Sequence, residues 1–146
     1  AAPKRPVVCF TGDGGFWYSA MLALTVTLGW PGLGIALRML AAGAIGLLLY
    51  KLLKSGTTRP RPCQVLADIR AGIAPLDAFS FPSGHTLHAV AFTVVAVTCS
   101  PALAWVFVPF TLLVALSRVV LGLHYPSDVL AGAAIGAGVA AAALAV

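Results

Sequence analysis

Apolar residues run along this chain in five stretches, separated by breaks rich in glycine, proline and serine. The first stretch runs from about Phe16 to Trp30, after "TGDGG", where Thr11 or Asp13 can cap a helix. The second, Leu33 to Leu53, follows the turn "WPG". The third starts near Ser83 and ends near Cys99, and "SPA" turns into a fourth that ends near Leu116. The fifth starts after Pro126 and runs to Val146. A helix needs ~20 apolar residues to cross a bilayer, with a lower limit of ~17. The pattern predicts five spans, the shorter ones completed by capping residues at the interface.

One long polar stretch, Lys54 to Phe81, interrupts the series. Within it, "CQVLADIRAGI" sets Val65, Leu66 and Ile69 at helical spacing. That fits a short helix lying on the membrane surface, or an ordinary packed loop. In the fifth stretch Gly132 and Gly136 have the spacing that lets two helices approach closely.

Composition strengthens the membrane reading. Of 146 residues, 60% are hydrophobic and only 9% are charged, against about 25% charged in soluble domains. Mean hydropathy is +1.00. Too little polar surface remains to cover an ordinary soluble globule. The expectation is one membrane-embedded domain, residues 1–146, built as an all-α bundle of about five transmembrane helices. Net charge is +5, from nine basic residues and four aspartates, with no glutamate. That balance suits anionic headgroups or an anionic substrate. Nucleic acid is excluded as a partner, because most of the chain faces lipid.

The loops sort by side. Nearly all the basic residues, all four aspartates and all three histidines fall at one end of the spans, and Arg38 leans to the other. Trp17, Tyr18, Tyr50 and Tyr125 mark one interface, Trp30 and Trp105 the other. Cys99 lies in an apolar stretch and reads as inert core. Cys9 and Cys63 map to the polar end, where an oxidising compartment would permit a disulfide; two separate thiols are the simpler expectation.

The polar end carries three clusters: "KSGTTRPRP" from Lys54 to Pro62, "PSGH" from Pro82 to His85, and "SRVVLGLHYPSD" from Ser117 to Asp128. Lys54, Arg61 and Arg118 gather only around an anion, and arginine's planar fork matches phosphate oxygens. Ser83 offers a hydroxyl, Gly84 admits close backbone approach, and the start of the third helix presents free amides to an anion. Pro126 suits the first position of the fifth helix, which places Asp128 in its first turn, within reach of His124. A carboxylate on one imidazole nitrogen would aim the other outward as an activated nucleophile. His85, from another helix, would then act as general acid toward the leaving oxygen.

Together Lys54, Arg61 and Pro62, then Pro82 to His85, then Ser117, Arg118, His124 and Asp128 form the motif series K-x6-R-P, P-S-G-H and S-R-x5-H-x3-D. In this order and spacing the series resembles the type-2 phosphatidic acid phosphatase superfamily. The resemblance covers roughly Lys54 to Asp128 and the helices around it. It implies a phosphatase-type four-helix core and metal-independent dephosphorylation of a lipid phosphate or diphosphate, with no cofactor. It also implies His124 as nucleophile, Asp128 as its partner, His85 as acid, and Lys54, Arg61, Arg118, Ser83 and Gly84 around the phosphate. Candidate substrates are undecaprenyl diphosphate, phosphatidylglycerol phosphate and phosphatidate. The resemblance favours a bacterial inner membrane with the site at the periplasmic face, although counting positive charges alone would put that face inside. Bacterial relatives often have six spans, against five here.

Alternatives of other classes are a phosphotransferase using the same phosphohistidine and a non-catalytic lipid-binding membrane protein. Vanadium haloperoxidases share the motif series but are soluble and longer. His88, three residues after His85, reads as a core or supporting histidine more than a metal ligand. Lys51 and Arg59 read as headgroup anchors, and Asp68 and Asp77 as solvated loop charges.

Overall fold

The computed structural model describes residues 14–69, 71 and 78–146. Thr11, Asp13, Cys9 and Asp77 lie outside them. Five apolar helices take up the five apolar stretches: α1 (Phe16–Leu28), α2 (Trp30–Gly56), α4 (Gly84–Cys99), α5 (Ala104–Val120) and α6 (Pro126–Leu144). Among the described residues, the loop between α2 and α4 contains one helical turn, α3 (Pro62–Val65), and Leu66 to Ile69 do not continue it as the longer surface helix that the spacing permits. The segments Trp30–Gly56, Pro101–Val120 and Pro126–Leu144 are long and apolar enough to cross a membrane by themselves. α1 and α4 are shorter, at 13 and 16 residues.

α4 is the central helix and packs against α2, α5 and α6. Its partnership with α6 is the tightest, for a steric reason. A Cβ on Gly132 would stand 2.6 Å from the Ser83 carbonyl oxygen, and one on Gly136 would stand 2.3 Å from that of Leu87. Those two glycines let the α6 backbone lie directly on the first turns of α4. The "PSGH" segment is thereby clamped to the helix that carries Asp128.

Two expectations need correcting. Trp17 does not face outward as an interface marker would. It is only 2% exposed and packs among the rings of Phe16, Phe92, Phe107 and Phe110. Cys99 is not core: it is exposed at the end of α4. Hydropathy alone does not say which side of a uniformly apolar helix meets a neighbour. Trp30 and Trp105 do stand out at the surface, at 85% and 87% exposed. Cys63 carries a free, half-buried thiol.

Candidate active site

The polar clusters converge where the loop after α2, the start of α4 and the α5–α6 turn meet. Gly122 makes that turn possible by adopting a left-handed conformation, φ 68°. The chain then doubles back, so that the amides of Leu123 and His124 both donate to the Arg118 carbonyl, at 3.2 and 3.1 Å. The candidate nucleophile is thus tied by its backbone to a candidate phosphate ligand.

His124 is buried, and its tautomer is settled by its two neighbours. Nδ1 lies 2.5 Å from the Ser80 carbonyl oxygen. A carbonyl can only accept, so Nδ1 carries the proton. Nε2 lies 3.4 Å from Arg61 Nη1. Guanidinium can only donate, so Nε2 presents its lone pair. Both constraints select the same neutral form. Burial, then the positive charge of Arg61, with smaller effects from Lys54 and His85, push the His124 pKa from 6.5 down to about 3, against the opposing Ser80 hydrogen bond. Of these groups, Arg61 touches the ring directly, through Nη1.

The expected partnership between His124 and Asp128 is the main difference from the sequence reading. Asp128 Oδ2 lies 4.0 Å from His124 Nδ1, outside hydrogen-bond range. It accepts instead from the Tyr125 amide at 2.8 Å, closing the first turn of α6. Oδ1 accepts from Arg59 Nη1 at 2.8 Å. Arg59 also donates to Ser127 Oγ at 2.9 Å and lies over the Tyr125 ring. Arg59 is therefore the counterion of a fully buried carboxylate and not a headgroup anchor. Its backbone carbonyl in turn receives the Ser80 amide at 2.8 Å. One residue holds both Asp128 and the strand of loop that orients His124.

The remaining predicted residues sit on adjoining elements. Arg61 is buried and donates through Nη1 to the Leu123 carbonyl at 2.7 Å. Arg118 is buried at the end of α5, with Nε donating to Ser117 Oγ at 3.2 Å. Lys54 ends α2 and donates to the Tyr50 hydroxyl at 2.9 Å. Ser83 is buried as the residue before α4. Its Oγ pairs with Thr86 Oγ1 at 3.0 Å and its amide donates to the Asp128 carbonyl at 3.1 Å. Gly84 lies against the Tyr50 ring, which a Cβ there would meet at 2.7 Å. His88 points away to bridge helices, with Nδ1 at 2.9 Å from the Gly84 carbonyl and Nε2 at 3.3 Å from that of Gly43. Asp68 is exposed. No group of three or more residues suited to a metal ion occurs among the described residues.

Ser80, Arg59 and Tyr50 are the site residues that sequence reasoning missed. Ser80 works through its carbonyl, which has no sequence signature. Its own Oγ is buried without a partner among the described residues. Arg59 and Tyr50 did leave signals: a buried aspartate needs a counterion, and Tyr50 stands one helical turn before Lys54.

The helical bundle, with a buried histidine against Arg61 at its polar end, defines an all-α membrane protein with a candidate anion site. The PAP2 superfamily model matches residues 33–146, and the chain belongs to that superfamily. It is 36% identical over 94 residues to a lipid A 1-phosphatase of Rhizobium johnstonii, covering 62% of this chain and 38% of that protein. It is 35% identical over 88 residues to the undecaprenyl-diphosphatase BcrC of Bacillus subtilis, covering 60% of this chain and 45% of that protein. The chain thus matches less than half the length of these relatives. Among solved structures, a PAP2 type phosphatidylglycerolphosphate phosphatase from Bacillus subtilis superposes with a TM-score of 0.67 at 29% identity, over 94% of this chain and 72% of that one. Aquifex aeolicus LpxE shares the fold, with a TM-score of 0.74 at 22% identity, over 98% of this chain and 88% of that one.

Proposed function

We propose that this protein is a lipid phosphate phosphatase that works through a phosphohistidine on His124. The observation that carries the reading is the locked neutral imidazole, with Nε2 unprotonated among Arg61, Lys54 and His85. Nε2 attacks the phosphorus and the bond to the leaving oxygen breaks. His85 gives that oxygen its proton, so the lipid leaves as an alcohol, or as a monophosphate if the substrate is a diphosphate. Water then attacks the phosphohistidine while His85 takes back a proton. Inorganic phosphate departs and His124 is restored.

Lys54, Arg61 and Arg118 supply the positive charge that the pentacoordinate transition state requires. Ser83 adds a hydroxyl and Gly84 an amide at the start of α4. With the cations committed to phosphate they do not report topology, and the resemblance to bacterial relatives supports an inner-membrane protein with its site facing the periplasm. The test is phosphate release by the purified protein in detergent from a panel of lipid phosphates, with His124→Ala beside it. Release by the parent and none by the variant is the expected result. Equal release by both would remove His124 from its role.

A further inference from the structure

A groove of about 550 Å³ opens beside the phosphate site, between α1, α2 and α4. His85, Gly84 and Tyr50 form one end. Leu47, Ala44 and Leu40 run along α2 away from it, with Trp17 and Phe92 opposite. From Tyr50 to Leu40 the wall covers about 15 Å of helix axis. Leu40, Leu47 and Tyr18 are exposed on the outer surface of the bundle, so the groove lies open toward the bilayer.

The polar side chains near the phosphate end are already engaged. The Tyr50 hydroxyl accepts the Lys54 ammonium at 2.9 Å. Both ring nitrogens of His88 lie against backbone carbonyls, at 2.9 and 3.3 Å. Past His85 the groove therefore offers shape and apolar contact. A sugar or glycerol unit seated there would bury its hydroxyl or ester oxygens without partners, at roughly 1–3 kcal/mol for each. A hydrocarbon chain carries no such penalty and gains ~25 cal/mol for each Å² it removes from water.

We infer that this groove takes the hydrocarbon arm of the substrate, and that the arm begins at the phosphate itself. The preferred substrate class is then a prenyl monophosphate or diphosphate rather than a sugar- or glycerol-borne phosphate. The inference rests on the phosphatase reading. The geometry links the two, because His85 lines the groove and stands in the first turn of α4, next to Ser83 and Gly84, where the Ser83 amide is bonded to the Asp128 carbonyl of the neighbouring site. A leaving oxygen protonated by His85 is placed with its chain at the groove mouth, and Lys54, held by Tyr50, places a cation at the same end.

Two measurements test this. In the first, turnover of farnesyl diphosphate, a lipid A-type glycolipid 1-phosphate, phosphatidate and p-nitrophenyl phosphate is compared in one detergent. The expected result is kcat/KM at least tenfold higher for farnesyl diphosphate than for the glycolipid or phosphatidate. Ala44→Trp should lower the ratio of farnesyl diphosphate to p-nitrophenyl phosphate turnover about tenfold. Leu48→Trp, on the exposed surface of the same helix but outside the groove, should leave that ratio unchanged. Preference for the glycolipid or phosphatidate, or an unchanged ratio in Ala44→Trp, overturns the inference. The second measurement is photocrosslinking with a benzophenone-bearing prenyl diphosphate, which needs no turnover. Labels on the segment from Leu40 to Leu47 or on Phe92, competed by farnesyl diphosphate, support the groove even if no phosphate is released. In that case the phosphatase reading alone fails. Labels elsewhere, or none, overturn the groove whatever the activity.

Discussion

The ring of His124 is oriented by the backbone carbonyl of Ser80, at 2.5 Å, while the nearest carboxylate oxygen, on Asp128, stands 4.0 Å away. Backbone and carboxylate thus divide what one aspartate does in a hydrolase triad. There, replacing aspartate by asparagine costs about 10⁴-fold because the wrong tautomer forms. Here the tautomer is already selected by Ser80 and Arg61. Asp128→Asn should therefore cost much less, roughly 10- to 100-fold in kcat, the range typical of residues that support a reacting group from behind. A loss near 10⁴-fold in a folded variant would show that the carboxylate closes on His124 during turnover.

Arg59 should behave as the partner of Asp128. Removing one member of a buried ion pair typically costs 3–5 kcal/mol, but Arg59 is 41% exposed, so water offsets part of that. Arg59→Ala should lower both the thermal midpoint in detergent and kcat, and Arg59→Lys should recover part of each. Combined with Asp128→Asn, the losses should fall short of additive, as they do for groups in one network. Full additivity would mean that the two side chains act separately.

The acidity of His124 makes a signed prediction. Its folded pKa of about 3 lies below the 6.5 of an unfolded chain. Between those values the unfolded state binds a proton that the folded state refuses, so stability falls as pH drops through this window and is regained above it. The proposed nucleophile stays unprotonated throughout most of this window. The acid limb of kcat/KM should then follow substrate phosphate, whose second ionisation lies at about 6. Changing the substrate's own acidity should move that limb. An acid limb unchanged across such substrates, together with a His124 ring signal that titrates near 6.5 by NMR, would contradict the buried neutral ring.

Much of this architecture was legible in the sequence. The number and order of the apolar helices were, because apolar runs and Gly/Pro breaks mark where a chain enters and leaves lipid, but not their ends: α2 takes in "WPG" and Lys54, running from Trp30 to Gly56, and α5 runs on through Arg118 to Val120. His85, Lys54, Arg61, Arg118 and His124 stand out in the sequence as candidates, since charged side chains in such a chain need a reason to be there. What orients them does not. The Ser80 carbonyl is common to every residue type, and the Arg59–Asp128 pair joins positions 69 residues apart. Trp17 and Cys99 were misplaced because the helix rotation that buries one and exposes the other depends on neighbouring helices.

The contact between α6 and α4 should be intolerant of a single methyl group. The clash at Gly132 is with the Ser83 carbonyl, so Gly132→Ala must push "PSGH" away from Asp128. Overpacking of this kind costs typically 1–3 kcal/mol, and activity should fall further than stability does. Gly138→Ala is the control, since nothing lies within 4 Å of its Cβ position. A Gly132→Ala protein with parental activity would mean that the two helices are free to separate without cost.

The proposed division of labour between the two histidines can be tested through the leaving group. If His85 protonates the departing oxygen, its loss should matter most when that oxygen is a strong base. His85→Ala should therefore cost orders of magnitude on an alkyl phosphate and much less, in the phosphorylation step, on p-nitrophenyl phosphate, whose phenolate departs unaided. Hydrolysis of the phosphohistidine needs His85 again, this time to take a proton from water. The variant should then release one burst of p-nitrophenolate and stall, with acid-labile phosphate on His124. His124→Ala should give neither burst nor label. Equal losses on both substrates, with no trapped phosphate, would leave His85 as a phosphate ligand and would require another acid.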